Sequence, residues 1–243
     1  MRIATWNIER RQQSSANDAH YVATILALNA DVMIVTEPGS DFASSCDSEV
    51  YSASKRPGGR GNESWVAIVG KDLRSIGGEK IPYMHLAAAA SAKVEDRRIA
   101  FYGSVLPWNA ARSQAPDVYG TEERTFAQVF DRALQQQVED IESLQSDFGQ
   151  DNVFWAGDFN HPLVGSLRGF SRHARAGILD ALAGLGMVAA NQDSEHAKPG
   201  ACAIDLICGP ARLDYGPPES SRPTHDGRPL SDHPAYVVEV NWP

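Results

Sequence analysis

Apolar positions along the chain follow two rhythms. Residues 2–8 (RIATWNI) and 31–36 (DVMIVT) are short runs rich in β-formers, and the second is apolar almost throughout, as in a strand covered on both faces. Between them Tyr21, Ile25 and Leu28 recur at helical spacing behind Asn17, whose side chain suits a helix N-cap. The opening therefore reads strand, helix, strand. Short apolar runs at 64–70 (SWVAIVG), 98–106 (RIAFYGSVL), 152–156 (NVFWA), 203–208 (AIDLIC) and 235–242 (AYVVEVNW), bounded by Gly, Pro or Asp, predict further strands. The longest helical period covers 122–148, where Phe126, Val129, Phe130, Ala133, Val138, Ile141 and Leu144 form one face, and another helix is predicted over 175–183, ending at Gly184. Polar or Gly/Pro-rich stretches at 55–63, 113–120 and 215–229 predict long loops. No repeat, linker or shift in composition divides the chain, which reads as a single domain over 1–243.

Hydrophobic residues make up 42% and charged residues 22%, which excludes a disordered chain and allows a sizeable core. A formal net charge of −9 argues against nucleic-acid binding through a broad basic surface, since neutralising phosphates needs clustered Lys and Arg, but it leaves room for a local patch. The three cysteines, Cys46, Cys202 and Cys208, are odd in number and lack the close Cys/His pairing of zinc sites, which fits a reducing compartment. With no leader-like segment ahead of the first strand and no apolar run of membrane-spanning length, a cytoplasmic location is expected.

The chemistry lies where polar groups interrupt these buried runs. Asn7 and Glu9 follow the first; Glu37 follows the second; Asp158 and Asn160 follow NVFWAG; Asp205 sits inside AIDLIC; Asp232 and His233 precede AYVVEV. Any one of them alone reads as a turn former, and Glu9 could pair on the surface with a neighbouring arginine. Together, five strand ends carrying such groups predict one converging site on rigid supports. Hard divalent cations take oxygen ligands, which Asn7, Glu37 and Asp232 offer. Asp158, Asn160 and His233 are of the types that position water and hold charge developing on a phosphate. Asp205 within an apolar strand needs a donor to offset its burial, and His233 is the candidate.

In their order, WNIE, VTEP, GDFN, AIDLI and LSDH resemble the endonuclease/exonuclease/phosphatase superfamily, which includes DNase I-like nucleases, and the resemblance spans nearly the whole chain. It implies an α/β fold, a four-layer α/β sandwich with two packed mixed β-sheets flanked by helices. It also implies a hydrolase of phosphate esters dependent on Mg²⁺ or Mn²⁺, with a nuclease as the leading reading. A phosphatase or phosphodiesterase of small molecules or lipid headgroups is the alternative, and a non-catalytic phosphate-binding module the third. The expected partner is a phosphate-ester substrate, nucleic acid among the candidates; no protein partner is indicated. By resemblance, the metal ligands fall on Asn7, Glu37 and Asp232, with Glu9 where many members carry another acid. The water-activating aspartate and its companion fall on Asp158 and Asn160, the phosphate-contacting histidine on His233, and the aspartate that orients it on Asp205.

The chain departs from the better-known nucleases at 103–112 (GSVLPWNAAR), where a histidine or tyrosine is replaced by Leu106, Pro107, Trp108 and Asn109. Asn109 and Arg112 are candidates for phosphate contact there and Trp108 for stacking, while Arg56 and Arg60, among glycines, could grip phosphate or merely tip a solvated hairpin. His161, His173, His196 and His225 show no ligand spacing and default to the surface. Trp6, Trp65, Trp155 and Phe159 are expected in the core.

Overall fold

Strand β1 (Arg2–Asn7) sends alternate side chains to opposite faces: Ile3 enters one apolar core, Ala4 and Trp6 another. The structure, a computed structural model, describes residues 1–9, 15–39, 49–51, 64–77, 86–114 and 125–242, without the side chains of 15–19, 112 and 114. After β1 come α1 (Ser15–Ala27), β2 (Val32–Thr36), β3 (Glu49–Tyr51), β4 (Val66–Gly70), β5 (Arg74–Ile76), β6 (Ala87–Val94), β7 (Arg97–Val105) and α2 (Ala111–Gln114). They are followed by α3 (Phe126–Phe148), β8 (Val153–Asp158), α4 (Arg172–Gly184), β9 (Met187–Ala189), β10 (Asp205–Pro210), β11 (Asp214–Tyr215), β12 (Glu219–Ser221), β13 (Thr224–His225), β14 (Arg228–Pro229) and β15 (Ala235–Asn241).

Two mixed sheets carry the architecture. The first has the order β11-β15-β1-β2-β4-β3, with β12 also on β15, and the second β5-β6-β7-β8-β10-β9. Within each, one pair is parallel, β1 with β2 and β7 with β8, and the other pairings are antiparallel. Ile3, Val32, Ile34, Val66 and Ile68 face the second sheet, while Met33, Val35, Ala67 and Val69 face α1 through Tyr21 and Ile25. The far face of the second sheet is covered by α3 and α4, through Phe130, Ile141, Leu144 and Ile178. Helix, sheet, sheet and helices make the expected four-layer sandwich. At Gly103 a Cβ would lie 2.8 Å from Val66 and 2.9 Å from Ile34, so the absence of a side chain there lets the sheets close up.

Several elements differ from the sequence expectation. Helix α3 begins at Phe126 and not at 122, because Thr125 is extended (φ −128°, ψ 155°) and closes a capping box with Gln128. Strand β6 (AAAASAKV) is absent from the predicted set, since alanine favours helix; pairing to β5 and β7 along both edges overrides that preference. The stretch 215–229 is not one long loop: β12, β13 and β14 lie within it, polar segments held by backbone pairing. The loop at 55–63 lies outside the described residues, as does 115–120 of the second predicted loop. Among the described residues no helix is long and apolar enough to cross a membrane.

Candidate active site

Because β1 and β2 run parallel, their C-terminal ends reach the same edge of the first sheet, with Asn7 opposite Thr36 and the Ile8 N–H bonded to the Thr36 carbonyl at 3.1 Å. The chain turns sharply beyond each: Glu9 (φ 36°) and Glu37 (φ 58°) are left-handed, as is Asn160 (φ 57°) after β8. Such a backbone costs a non-glycine residue about 1 kcal/mol or more, so three cases at one rim mark a place where surrounding bonds over-determine the chain.

In the second sheet the β8/β10 register sets Asp158 directly opposite Asp205, so two carboxylates project side by side from one face. Both are buried, at 3% and 0% exposure. Within β8, Gly157 takes φ +135° against Ser104 of β7, where a Cβ would collide with the Ser104 carbonyl oxygen. Asn7 reaches across from the first sheet and donates Nδ2–H to Asp158 Oδ2 at 2.9 Å, and the Asn160 N–H donates to Asp158 Oδ1 at 2.8 Å. His233 Nδ1 and Asp205 Oδ2 are 2.6 Å apart, the nitrogen donating.

Burial and neighbouring charges set the proton affinities here. Burial, reinforced by Asp205 and by Glu37, pushes the Asp158 carboxyl up to about 7, against the pull of His233 and the Asn160 N–H. For His233, burial alone would favour the neutral ring, but attraction to the Asp205 charge and the hydrogen bond donated to Asp205, with help from Asp158 and Asp232, raise it to about 10. The site thus holds an imidazolium between carboxylates, one of them poised to change protonation near neutrality.

No protein-family model matches the chain, and no curated protein sequence matches it. Solved structures do. The AP endonuclease LMAP from Leishmania major aligns with TM-score 0.66 at 15% identity over 98% of this chain and 86% of that one. The endonuclease domain of TRAS1, a telomere-specific non-LTR retrotransposon, aligns with TM-score 0.64 at 13% identity over 98% and 96%. An endonuclease/exonuclease/phosphatase family protein from Leptotrichia buccalis aligns with TM-score 0.60 at 14% identity over all of both chains. The chain has the DNase I-like fold.

On this DNase I-like fold the predicted strand-end residues come together as two hydrogen-bonded pairs, Asn7 with Asp158 and His233 with Asp205, set side by side by the β8/β10 register, with Glu37 near enough to act on the Asp158 charge. Asp232 stands beside them, its side chain 66% exposed and its Oδ1 3.6 Å from His233 Nε2. The Asn160 amide is committed elsewhere: Nδ2 donates to the Leu106 carbonyl at 2.9 Å, pinning the divergent 106–109 segment beside Asp158. In that segment Trp108 is half-buried against Trp65, and Asn109 donates to the Gly169 carbonyl. Arg112 falls in α2 with its side chain outside the description, and Arg56 and Arg60 lie outside the described residues. Trp6, Trp65, Trp155 and Phe159 are buried, as expected.

Two histidines assigned to the surface are inside. His161 is 1% exposed, its ring fully bonded between the Ser171 N–H at Nδ1 and the Pro107 carbonyl at Nε2, and burial lowers it to about 4. His196 is 9% exposed and meets the His233 ring edge-on, and burial, then His233, lowers its pKa. Neither has a sequence spacing that announces burial. Two supporting residues were also missed. The Ser231 hydroxyl donates to the Asn7 carbonyl and accepts the His233 N–H, tying β1 to the histidine; its place in LSDH was the available signal. The buried Asn191 side chain donates to the Asp205 carbonyl and accepts the Ile207 N–H, clamping β10.

Proposed function

We propose that the protein is a metal-dependent phosphoesterase, and within that class a nuclease that hydrolyses phosphodiester bonds. The observation that carries the reading is the arrangement of Asp158 against the pair of Asp205 and His233, at the rim of a fold also found in endonucleases. Asp158, held at both oxygens by Asn7 and the Asn160 N–H and raised toward neutrality, is suited to orient a water and take its proton. His233, kept cationic by Asp205, presents Nε2–H to a phosphate oxygen, where charge accumulates during attack.

The remaining donors at the rim fit a hard cation. Asn7, Glu37 and Asp232, with Glu9 beside them, offer only oxygens, the set that Mg²⁺ or Mn²⁺ takes together with water and phosphate. Bound there, such an ion would supply positive charge to stabilise the phosphate oxygens and the leaving group. A cytoplasmic location belongs to the same proposal, supported by Cys202 and Cys208 as free thiols.

A second reading, a phosphatase or phosphodiesterase for small molecules or lipid headgroups, is favoured by the net charge of −9 and by Leu106, Pro107 and Trp108 in place of a polar phosphate contact. The test is a panel of DNA, RNA, nucleotides, inositol phosphates and phospholipids at fixed Mg²⁺, repeated in chelator and with Glu37→Ala. Cleavage of DNA or RNA that stops in chelator and demands more metal in Glu37→Ala is the expected outcome. Full turnover in chelator would overturn the metal reading; turnover confined to small or lipid esters would establish the alternative, and binding without turnover the non-catalytic one.

A further inference from the structure

His196 precedes β10 in a tight turn, its N–H bonded to the Ala201 carbonyl at 3.0 Å. The ring stands against His233 with centroids 5.4 Å apart and planes at 81°, and one polar atom of each of His196, Asp205 and His233 lies within 4.8 Å of the others. Two imidazoles and a carboxylate at that spacing suggest a transition-metal site, but the hydrogen bonds argue otherwise. The backbone N–H of Lys198 donates to His196 Nδ1 at 2.9 Å. A backbone amide only donates, so Nδ1 is an acceptor and the neutral ring carries its proton on Nε2. A histidine that ligates through Nε2 needs the reverse, a free lone pair there and a donor at Nδ1. Asp205 Oδ2 is likewise already engaged, by His233.

What the tautomer leaves is a buried donor. His161 is held in the same tautomer by the Ser171 N–H, and its Nε2–H finds the Pro107 carbonyl. His196 Nε2 has no partner among the described residues, and in the same cluster neither has the buried Asp205 Oδ1. One is a donor and the other an acceptor. The geometry points to His196 as a positioning residue whose Nε2–H serves the free oxygen of Asp205 through one bridging water, and so holds the carboxylate in the orientation that engages His233. A water with two hydrogen bonds of about 2.8 Å can join a donor and an acceptor that lie too far apart to bond directly. Asp205 would then be gripped on both oxygens, as Asp158 is by Asn7 and Asn160.

The consequence for turnover rests on the phosphoesterase reading, but the hydrogen bond itself does not, so the test reads both. In chelator and without substrate, nitrogen-15 NMR of the native histidine side chains should show His196 neutral with its proton on Nε2, and a strongly downfield His233 Nδ1–H. In His196→Met, which fills the space without a donor, that downfield proton should move upfield and exchange faster; in His196→Gln, which keeps an N–H, it should largely persist. With bis(p-nitrophenyl) phosphate and Mn²⁺, His196→Met should lose about 10- to 100-fold in kcat with little change in KM, and His196→Gln should recover most of it. An Nδ1-protonated His196 in the native protein overturns the inference whether or not the variants fold, and so does a His233 resonance indifferent to folded His196→Met. Absence of native turnover on every substrate would instead count against the phosphoesterase reading and leave the NMR result to stand.

Discussion

Replacing Asp158 by Asn should make the metal-free protein more stable, in proportion to how much charge the site is forced to hold. The folded state raises this carboxyl from 3.8 to about 7, so it binds the proton more tightly than the unfolded chain does. Native stability from this group is therefore complete below about pH 4 and is lost as pH rises through 7. Three pH units at about 1.4 kcal/mol each put the loss at about 4 kcal/mol above pH 7. Asparagine removes that cost, along with the repulsion across the β8/β10 register, but its amide can accept from only one of the two donors, Asn7 Nδ2 and the Asn160 N–H. The neutral acid is under a similar limit, and the charge-assisted bonds of the carboxylate are already counted in its raised proton affinity. The variant should thus exceed the native protein by up to about 4 kcal/mol at pH 8, or roughly 2–4 °C in Tm for each kcal/mol, and come close to it near pH 4. Chemical and thermal unfolding of both proteins from pH 4 to 8 in chelator measures the difference; Mn²⁺ should narrow it, because a cation offsets the repulsion. Turnover should vanish with ligand affinity largely kept. A stability difference that stays constant across this range would refute the electrostatic argument, and a variant with native turnover would remove Asp158 from the chemical step.

His161 has the opposite sign: lowered from 6.5 to about 4 by burial, it stabilises the fold above pH 6.5 and loses that contribution as pH falls toward 4, about 3 kcal/mol in all. Urea unfolding should show His161→Gln to be flatter than the native protein over that interval, and parallel curves would contradict the assignment. Gly157→Ala, forced against the Ser104 carbonyl at φ +135°, should cost more than about 3 kcal/mol and lower Tm sharply or prevent soluble expression; an unchanged Tm would show that β8 can relax. Asp205→Asn and His233→Ala should each reduce kcat by about 10²- to 10⁴-fold, and the double variant should match the worse single one, because the pair acts as a unit. Additive losses in proteins with matching melting curves would separate the two residues.

Much of this molecule was written locally. The runs ending at Asn7, Thr36, Asp158 and Val105 are strands because they are short, apolar and carry β-branched or aromatic residues, and the groups that break the apolar pattern at their ends stand out for the same reason. Helices α3 and α4 follow from their period, to within a few residues at the start, where the cap at Thr125 decides. Other features depend on what lies across from a residue, which no local pattern records. The alanines of β6 become a strand because two neighbouring strands offer hydrogen bonds and the opposite sheet lies close. The segments β12 to β14 exist through backbone pairing that their polar side chains do not announce. His161 and His196 are buried, although nothing in their spacing distinguishes them from surface histidines. The chain itself determined the chemistry available at the site, the acids, amides and histidine at strand ends. Only the tertiary structure decided that Asp158 stands opposite Asp205 and accepts from Asn7 of the other sheet, because register and sheet packing come from long-range contacts, and the proton affinities of Asp158 and His233 follow from that placement and its exclusion of water.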